Sequence, residues 1–444
     1  MAKEFDPEFI PDDIWISIFE NLSSAAQIAV LARTCQRFRV LARKPLLREI
    51  RWGKFESTKR NLDAWKSSDL VTLPRKVAIG ISFDFCSKGH WFYMTEEMRL
   101  HDRIHAQLQH FSMLHELILD GTALSPYTYT VLASLPSLRS LSITDCTFIP
   151  LATPFYHHTA HATHAPAPTF NFTSLPLTSL LLHKLAFPTD LGIGGFSTED
   201  DPNHPLHLLL APNIHTLSLA WTSARAIMYA NNLWRLTNIT QLEVVMPFLT
   251  RDLVDALVVF TDRCAPDVRV ALIVDHHNLS EQQVVGGVYI PIRGVWKYKG
   301  PLSFATWWPQ PQPRPQSRAV GEDELAVAPL THLTMNVPAE VSALVHGLEK
   351  LPRTMRVLEV QMRKWDVEVL YAIRELFPLL STLVVRYGLG KLPWNFLVTL
   401  GSEILPKLAH LHTLTIIPDP ACASTRAVDT NLNLSMSAQS AAAG

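Results

Sequence analysis

The sequence predicts an α/β protein. A small N-terminal bundle of three short helices precedes an irregular repeat solenoid, with parallel strands on its concave face and helices on its convex face. Three observations predict this. A nine-residue apolar pattern recurs along most of the chain, amphipathic helical segments lie between its copies, and residues 9–52 form a separate, unusually apolar helical stretch.

The recurring pattern is L-x-x-L-x-L followed by three more residues. It reads LHELILDGT from Leu114, LRSLSITDC from Leu138, LTSLLLHKL from Leu177, IHTLSLAWT from Ile214 and ITQLEVVMP from Ile239. It resumes as LTHLTMNVP from Leu330, MRVLEVQMR from Met355, LSTLVVRYG from Leu380 and LHTLTIIPD from Leu411. The second Leu falls at 117, 141, 180, 217, 242, 333, 358, 383 and 414, so the spacings are 24, 39, 37, 25, 91, 25, 25 and 31. Four of these lie inside the 20–29 window of leucine-rich repeats, and the spacing of 91 leaves room for about three degraded copies. Val268–Ile273 (VRVALI) is a candidate for one of them.

The L-x-L core has the period of a strand, so its two apolar residues share one face. A lone strand of this kind cannot bury that face, whereas stacked copies can, as a parallel sheet. Between copies, Asp252–Arg263, Val341–Lys350 and Asp366–Phe377 carry apolar residues at i, i+3 and i+4, and Pro266, Pro352 and Pro378 follow them. Insertions are expected near 150–175, 189–205 and 306–328, and residues 419–444, rich in Ala and Ser, read as a disordered tail. The leucine-rich repeats thus span 111–418. Residues 54–110 read as a linker and N-terminal cap of the solenoid.

The composition excludes several classes. With 39 Lys and Arg against 40 Asp and Glu, the net charge is −1, which argues against a nucleic-acid partner recognised through overall charge. The N-terminus MAKEFDPEFIPDD is acidic and lacks an apolar signal region. No run of about 20 residues is apolar enough for a membrane span, so no membrane partner is expected. The five cysteines are far apart and form no CxxC pair, which fits a reducing compartment, cytoplasmic and/or nuclear.

The N-terminal stretch reads as three helices. The first, Asp13–Leu22, is entered through Pro11 and Asp12. The second begins at Ser24, with Gln27 at capping-box spacing. The third carries Phe38 and Leu41 and stops before Pro45. On a helical wheel with Ile14 at about 0°, Ile18 lies near 40°, Leu22 near 80°, Trp15 near 100°, Phe19 near 140° and Ile16 near 200°. This apolar arc is about twice the usual stripe, so one side packs on the other two helices and the other needs a second surface. Either the repeats of the same chain or a separate partner supplies it.

The stretch F-I-P-D-D-I-W-I-S-I-F-E-N-L, followed by V-L-A-R-T-C-Q-R-F-R-V-L-A, resembles an F-box spanning 8–53. Ile10-Pro11 matches the family's opening and Asp13-Ile14 its acidic–apolar pair. Ile18, Phe19, Leu22, Cys35, Arg37, Leu41 and Ala42 match the rest, with Phe38 where Trp is commonest and Thr34 where Val is usual. Together with the repeats, the chain resembles the F-box/leucine-rich-repeat proteins, in its looseness the large fungal sets. The resemblance implies a substrate receptor of an SCF-type ubiquitin ligase, docked on a Skp-type adaptor and through it on a cullin. Its repeats would hold a protein substrate, and the chain itself would need no catalytic residue or cofactor. The implied adaptor-binding residues are Ile10, Pro11, Ile14, Trp15, Ile18, Phe19 and Leu22. Of the positions flanking the inward pairs of the nine strands, those carrying charge are Glu116, Asp120, Glu243, Glu359 and Arg386. These are the candidate substrate contacts, and they include no convergent Arg or Lys cluster.

Other constellations are set aside. His157, His158, His161 and His164 lie among Thr, Ala and Pro with no Cys or carboxylate nearby, so they read as a solvated loop and not as a metal site. His276-His277 reads the same way. Pro309, Pro311, Pro313 and Pro315 read as a stiff spacer, and Trp307-Trp308 as packing residues. Gly192–Gly195 lacks the lysine of a phosphate loop. A non-ligase repeat scaffold, its N-terminal helices capping the solenoid, is the alternative to the receptor, and a hydrolase built around the His run is a remote third.

Overall fold

The computed structural model describes residues 10–22, 24–66, 68–81, 95–148, 171–186, 204–222, 225–226, 236–247, 250–265, 267–275, 294–302 and 330–423. Two compact units are present: residues 1–220 with 236–239, and 221–235 with 240–444. The His run, His276-His277, Gly192–Gly195, the Trp307-Trp308 pair and the proline stretch lie outside the described residues, as do almost all of the three expected insertions.

The first unit opens with three helices, α1 (Asp12–Asn21), α2 (Ala25–Leu31) and α3 (Gln36–Leu47). Two local expectations are corrected. Ser24 precedes α2 but makes no side-chain capping bond. Helix α3 runs through Pro45, because a proline in the last turn forfeits only one backbone donor.

A parallel sheet follows, formed by β1 (Glu49–Trp52), β2 (Lys76–Ile79), β3 (Glu116–Asp120), β5 (Ser140–Thr144), β7 (Ser179–His183) and β8 (Thr216–Ala220) in that order. A small parallel pair, β4 (Ala123–Leu124) with β6 (Thr147–Phe148), sits beside it. The register is regular: Ile50 pairs with Val77, Val77 with Leu117, Leu117 with Leu141, Leu141 with Leu180, and Leu180 with Leu217. All of these are buried, as are the residues two places further along, from Trp52 through Ile79, Leu119 and Ile143 to Leu182 and Leu219.

The sheet therefore begins at residue 49, not 111. Residues 54–110 are not a mere linker and cap, since β2 lies there with the helix Thr95–Leu108. Leu47-x-x-Ile50-x-Trp52 obeys the repeat template once any large apolar residue is allowed in place of Leu.

In that helix His105 is buried, its ring centroid 4.0 Å from that of His101. Its Nδ1–H donates to the His101 carbonyl at 2.9 Å, and its Nε2 has no hydrogen-bond partner among the described residues. Burial first, and His101 second, hold its pKa well below the ordinary value. The folded state thus keeps His105 neutral where the unfolded chain takes up a proton below about pH 6.5. Stability should fall as pH drops from about 6.5 towards the folded pKa, and a His105→Leu variant should flatten that dependence in urea melts at pH 7.5 and 5.5.

The second unit holds β9 (Gln241–Met246), β10 (Arg269–Val274), β11 (Val295–Gly300), β12 (His332–Met335), β13 (Val357–Lys364), β14 (Thr382–Leu389) and β15 (Thr413–Pro418), parallel and in chain order. Among the described residues the 91-residue spacing holds two strands, where about three degraded copies are expected: β10 pairs directly with β9 and β11, and β11 directly with β12. The helix Arg251–Thr261 is capped by Thr250, whose hydroxyl accepts from the Leu253 amide. Helix Val341–Glu349 packs on β13 and on helix Glu368–Leu376. The tail is ordered for longer than its composition suggests, since Pro420–Ala423 is helical with Cys422 buried; residues 424–444 lie outside the described residues. Among the described residues no helix is long and apolar enough to cross a membrane.

Candidate functional site

The N-terminal helices form a core of their own. Phe19, Ile28, Leu41 and Ala42 are buried at its centre, with Trp15, Ile16, Leu22, Leu31, Phe38 and Leu46 packed round them. Phe38 meets Trp15 at 4.6 Å between centroids and Phe19 edge-on at 5.3 Å. The Cys35 thiol caps α3 by accepting from the Phe38 amide at 3.4 Å. Arg37 donates to the Ile10 carbonyl and, at 2.9 Å, to Asp12, so it ties α3 to the entry of α1. Most residues that carry the motif thus build and close the domain.

The wheel of α1 divides accordingly. The arc from Leu22 through Trp15 and Phe19 to Ile16 faces α2 and α3, whereas Ile14 is 51 % and Ile18 41 % exposed. Pro11 is exposed, and Ile10, Trp15 and Leu22 are half-buried at the margin. Phe19 is a correction to the expected adaptor contacts. At 0 % exposure it has no surface to offer, because its position near 140° on the wheel points at the centre of the bundle. What remains is an outward apolar strip with no covering element among the described residues, the kind of surface that marks a docking site.

The five charged candidates divide between the two units, Glu116 and Asp120 in the first and Glu243, Glu359 and Arg386 in the second. Glu116, on β3, is held by Lys76 on β2 at 2.8 Å, and Asp120 is exposed at the end of β3. In the second unit Glu243 pairs in register with Ala271. Glu359 and Arg386 do meet, at 2.7 Å on adjacent strands, and Asp419 stands 3.9 Å from the same guanidinium. That pair neutralises itself. Glu359 is the main reason the Arg386 pKa is raised.

Further cations, which the L-x-L pattern does not mark, lie on β10 and β11. A break in register sets Val270 opposite Val295 but Ala271 opposite Lys297, so Trp296 is the extra residue of a bulge. Its ring lies under the Arg269 guanidinium at 4.3 Å and meets His332 edge-on at 4.7 Å. Burial lowers the His332 pKa, and the charges of Lys297, Arg269 and Arg356 lower it further. No group of His, Cys, Asp and Glu able to hold a metal occurs among the described residues.

Residues 8–50 match the F-box-like family, and this stretch forms an F-box-like domain. No curated protein matches the chain. Among solved structures, the chain is similar to one in the crystal structure of the Rad7 and Elc1 complex in yeast, at 12 % identity over 85 % of this chain and 88 % of that one. The TM-score is 0.35.

Proposed function

We propose that the chain is the substrate-recognition subunit of an SCF-type ubiquitin ligase. Its F-box-like domain docks on a Skp-type adaptor and through it on a cullin, and its parallel strands form a leucine-rich-repeat solenoid that holds a protein substrate. The observation that carries this reading is the outward strip of Ile14 and Ile18 on an otherwise closed F-box-like domain. Ile10, Pro11, Trp15 and Leu22 border the docking face. The register ladder, with its buried residue pairs, supports the solenoid. The chain contributes no catalytic group and needs no cofactor. It acts by proximity, making an encounter between ubiquitin and a substrate lysine nearly unimolecular. Such a subunit works in the cytoplasm and/or nucleus. The non-ligase scaffold, by contrast, needs α1 covered by its own repeats, and the exposure of Ile14 and Ile18 speaks against that.

The test is a pull-down of the full chain with a Skp-type adaptor. The wild-type chain should be retained. Ile14→Asp, Ile18→Asp should lose binding while melting at the same temperature, because apolar anchors at such interfaces are each worth about 2 kcal/mol or more. A wild-type chain that fails to bind any Skp-type adaptor would overturn the reading.

A further inference from the structure

The overall charge of −1 conceals a local surplus on the second unit. Lys297 and Lys299 alternate on β11 with the buried Tyr298, so both project from the face of the sheet opposite the core. Register sets Lys297 beside His332 and Lys299 beside Thr334. Arg269 opens β10 and Arg356 directly precedes β13, and both are exposed. Arg269, Lys297 and Arg356 are all near enough to His332 to bias its protonation. Lys76, Arg386 and Lys407 each have a carboxylate partner, at 2.8, 2.7 and 2.8 Å. Arg269, Lys297, Lys299 and Arg356 make no ion pair among the described residues. The described carboxylates on the adjoining part of this face are Glu243, two strands from Lys297 across Ala271, and Glu359, two strands from Lys299 across Thr334 and already paired with Arg386 at 2.7 Å.

At the centre stands Trp296, half-buried and turned outward by the bulge. Bulges re-aim side chains and are over-represented beside functional sites. Cations gathered round this half-buried ring, without an ion pair among the described residues, repel one another. An anionic partner would offset that repulsion and form charge-assisted hydrogen bonds, which are roughly twice as strong as neutral ones.

We propose that Arg269, Trp296, Lys297, Lys299, His332 and Arg356 form a docking surface for an acidic, Asp/Glu-rich peptide segment of a protein partner. The cations pair with its carboxylates and Trp296 packs against the intervening side chains. The four cations span β10 to the start of β13, three strand spacings or about 14 Å, which an extended peptide of four to five residues covers. The surface rests on the receptor reading only in that it names the class of segment the repeats would hold, and its chemistry does not depend on the adaptor.

The experiment is fluorescence anisotropy of a labelled dodecapeptide of alternating Glu and Ala, titrated with the full chain in 50 mM and 200 mM salt. Saturable binding that weakens with salt is expected, with Lys297→Glu, Arg356→Glu losing at least tenfold and Trp296→Ala several-fold. Lys391→Glu, an exposed cation elsewhere on the same unit, should bind like wild type. Circular dichroism melts ensure that each variant is folded, and Lys299→Gln provides a milder variant should the double reversal fail to fold. Absence of binding, an equal loss in Lys391→Glu, or tighter and competing binding of oligo(dT) would each overturn the proposal. The Ile14→Asp, Ile18→Asp chain should still bind the peptide, so failure of the adaptor pull-down and failure of this surface are separate results.

Discussion

Phe19→Ala is expected to destabilise the N-terminal domain by about 3–5 kcal/mol, the usual cost of deleting a fully buried aromatic ring. Ile14→Ala and Ile18→Ala should change its stability by no more than about 0.5 kcal/mol each, as exposed substitutions do. All three residues lie on one helix and within one apolar arc, so the contrast isolates burial from composition. Phe19 touches both halves of the core, meeting Phe38 edge-on and lying with Ile28, Leu41 and Ala42. A domain of about 40 residues has little stability in reserve, so a loss of this size should unfold it. Limited trypsin digestion reads this directly, since Arg33, Arg37, Arg39 and Arg43 lie in or beside α3 and become accessible on opening. Loss of adaptor binding by a Phe19 variant would therefore report unfolding, whereas the same loss by Ile14 and Ile18 variants reports contact. A Phe19→Ala chain as trypsin-resistant as wild type would refute the packing described for α1.

Gly294→Ala should cost about 2 kcal/mol or more, for two separate reasons. Gly294 has φ +73°, where a side chain is strained, and a Cβ there would collide with the Val268 carbonyl oxygen. Neither obstacle is a flexible side chain that could move aside. The Gly294 carbonyl also accepts the Val270 amide at 2.9 Å, so a displaced residue 294 breaks the contact that opens the β10–β11 ladder. The bulge that turns Trp296 outward follows two residues later. The urea midpoint of the full chain should fall for Gly294→Ala and hold for Gly401→Ala, where a Cβ would meet nothing within 4 Å. An unchanged midpoint at Gly294 would mean that the turn relaxes freely.

Much of the architecture was legible because strand alternation is a local property. The nine L-x-x-L-x-L copies coincide with nine strands, and in all but the last the inward pair is buried. In β15, at the end of the sheet, Leu414 and Ile416 are only half-buried, because no further strand follows among the described residues. Among the described residues, strands β1, β2, β4, β6 and β11 escaped the template. In β1 and β2 the leucines are replaced by Ile50, Trp52, Val77 and Ile79, which bury the same face as well as Leu does. β11 escaped for a different reason, since its bulge puts Val295 and Tyr298 three places apart and destroys the period of two. VRVALI was recognised as a candidate, and it is β10.

The sequence alone determined which residues of α1 are apolar and over what arc, and that parallel strands recur with inward pairs. Both follow from periodicities within a few residues of one another. Only the tertiary structure decided which part of that arc is spent on the domain's own core and which is left outward, because the positions of α2 and α3 set the dividing line. Likewise, the five charges found by pattern are scattered or mutually paired. The cations that converge on Trp296 and His332 come from residues 269, 297 and 356, and strand register, a relation between distant segments, brings them together.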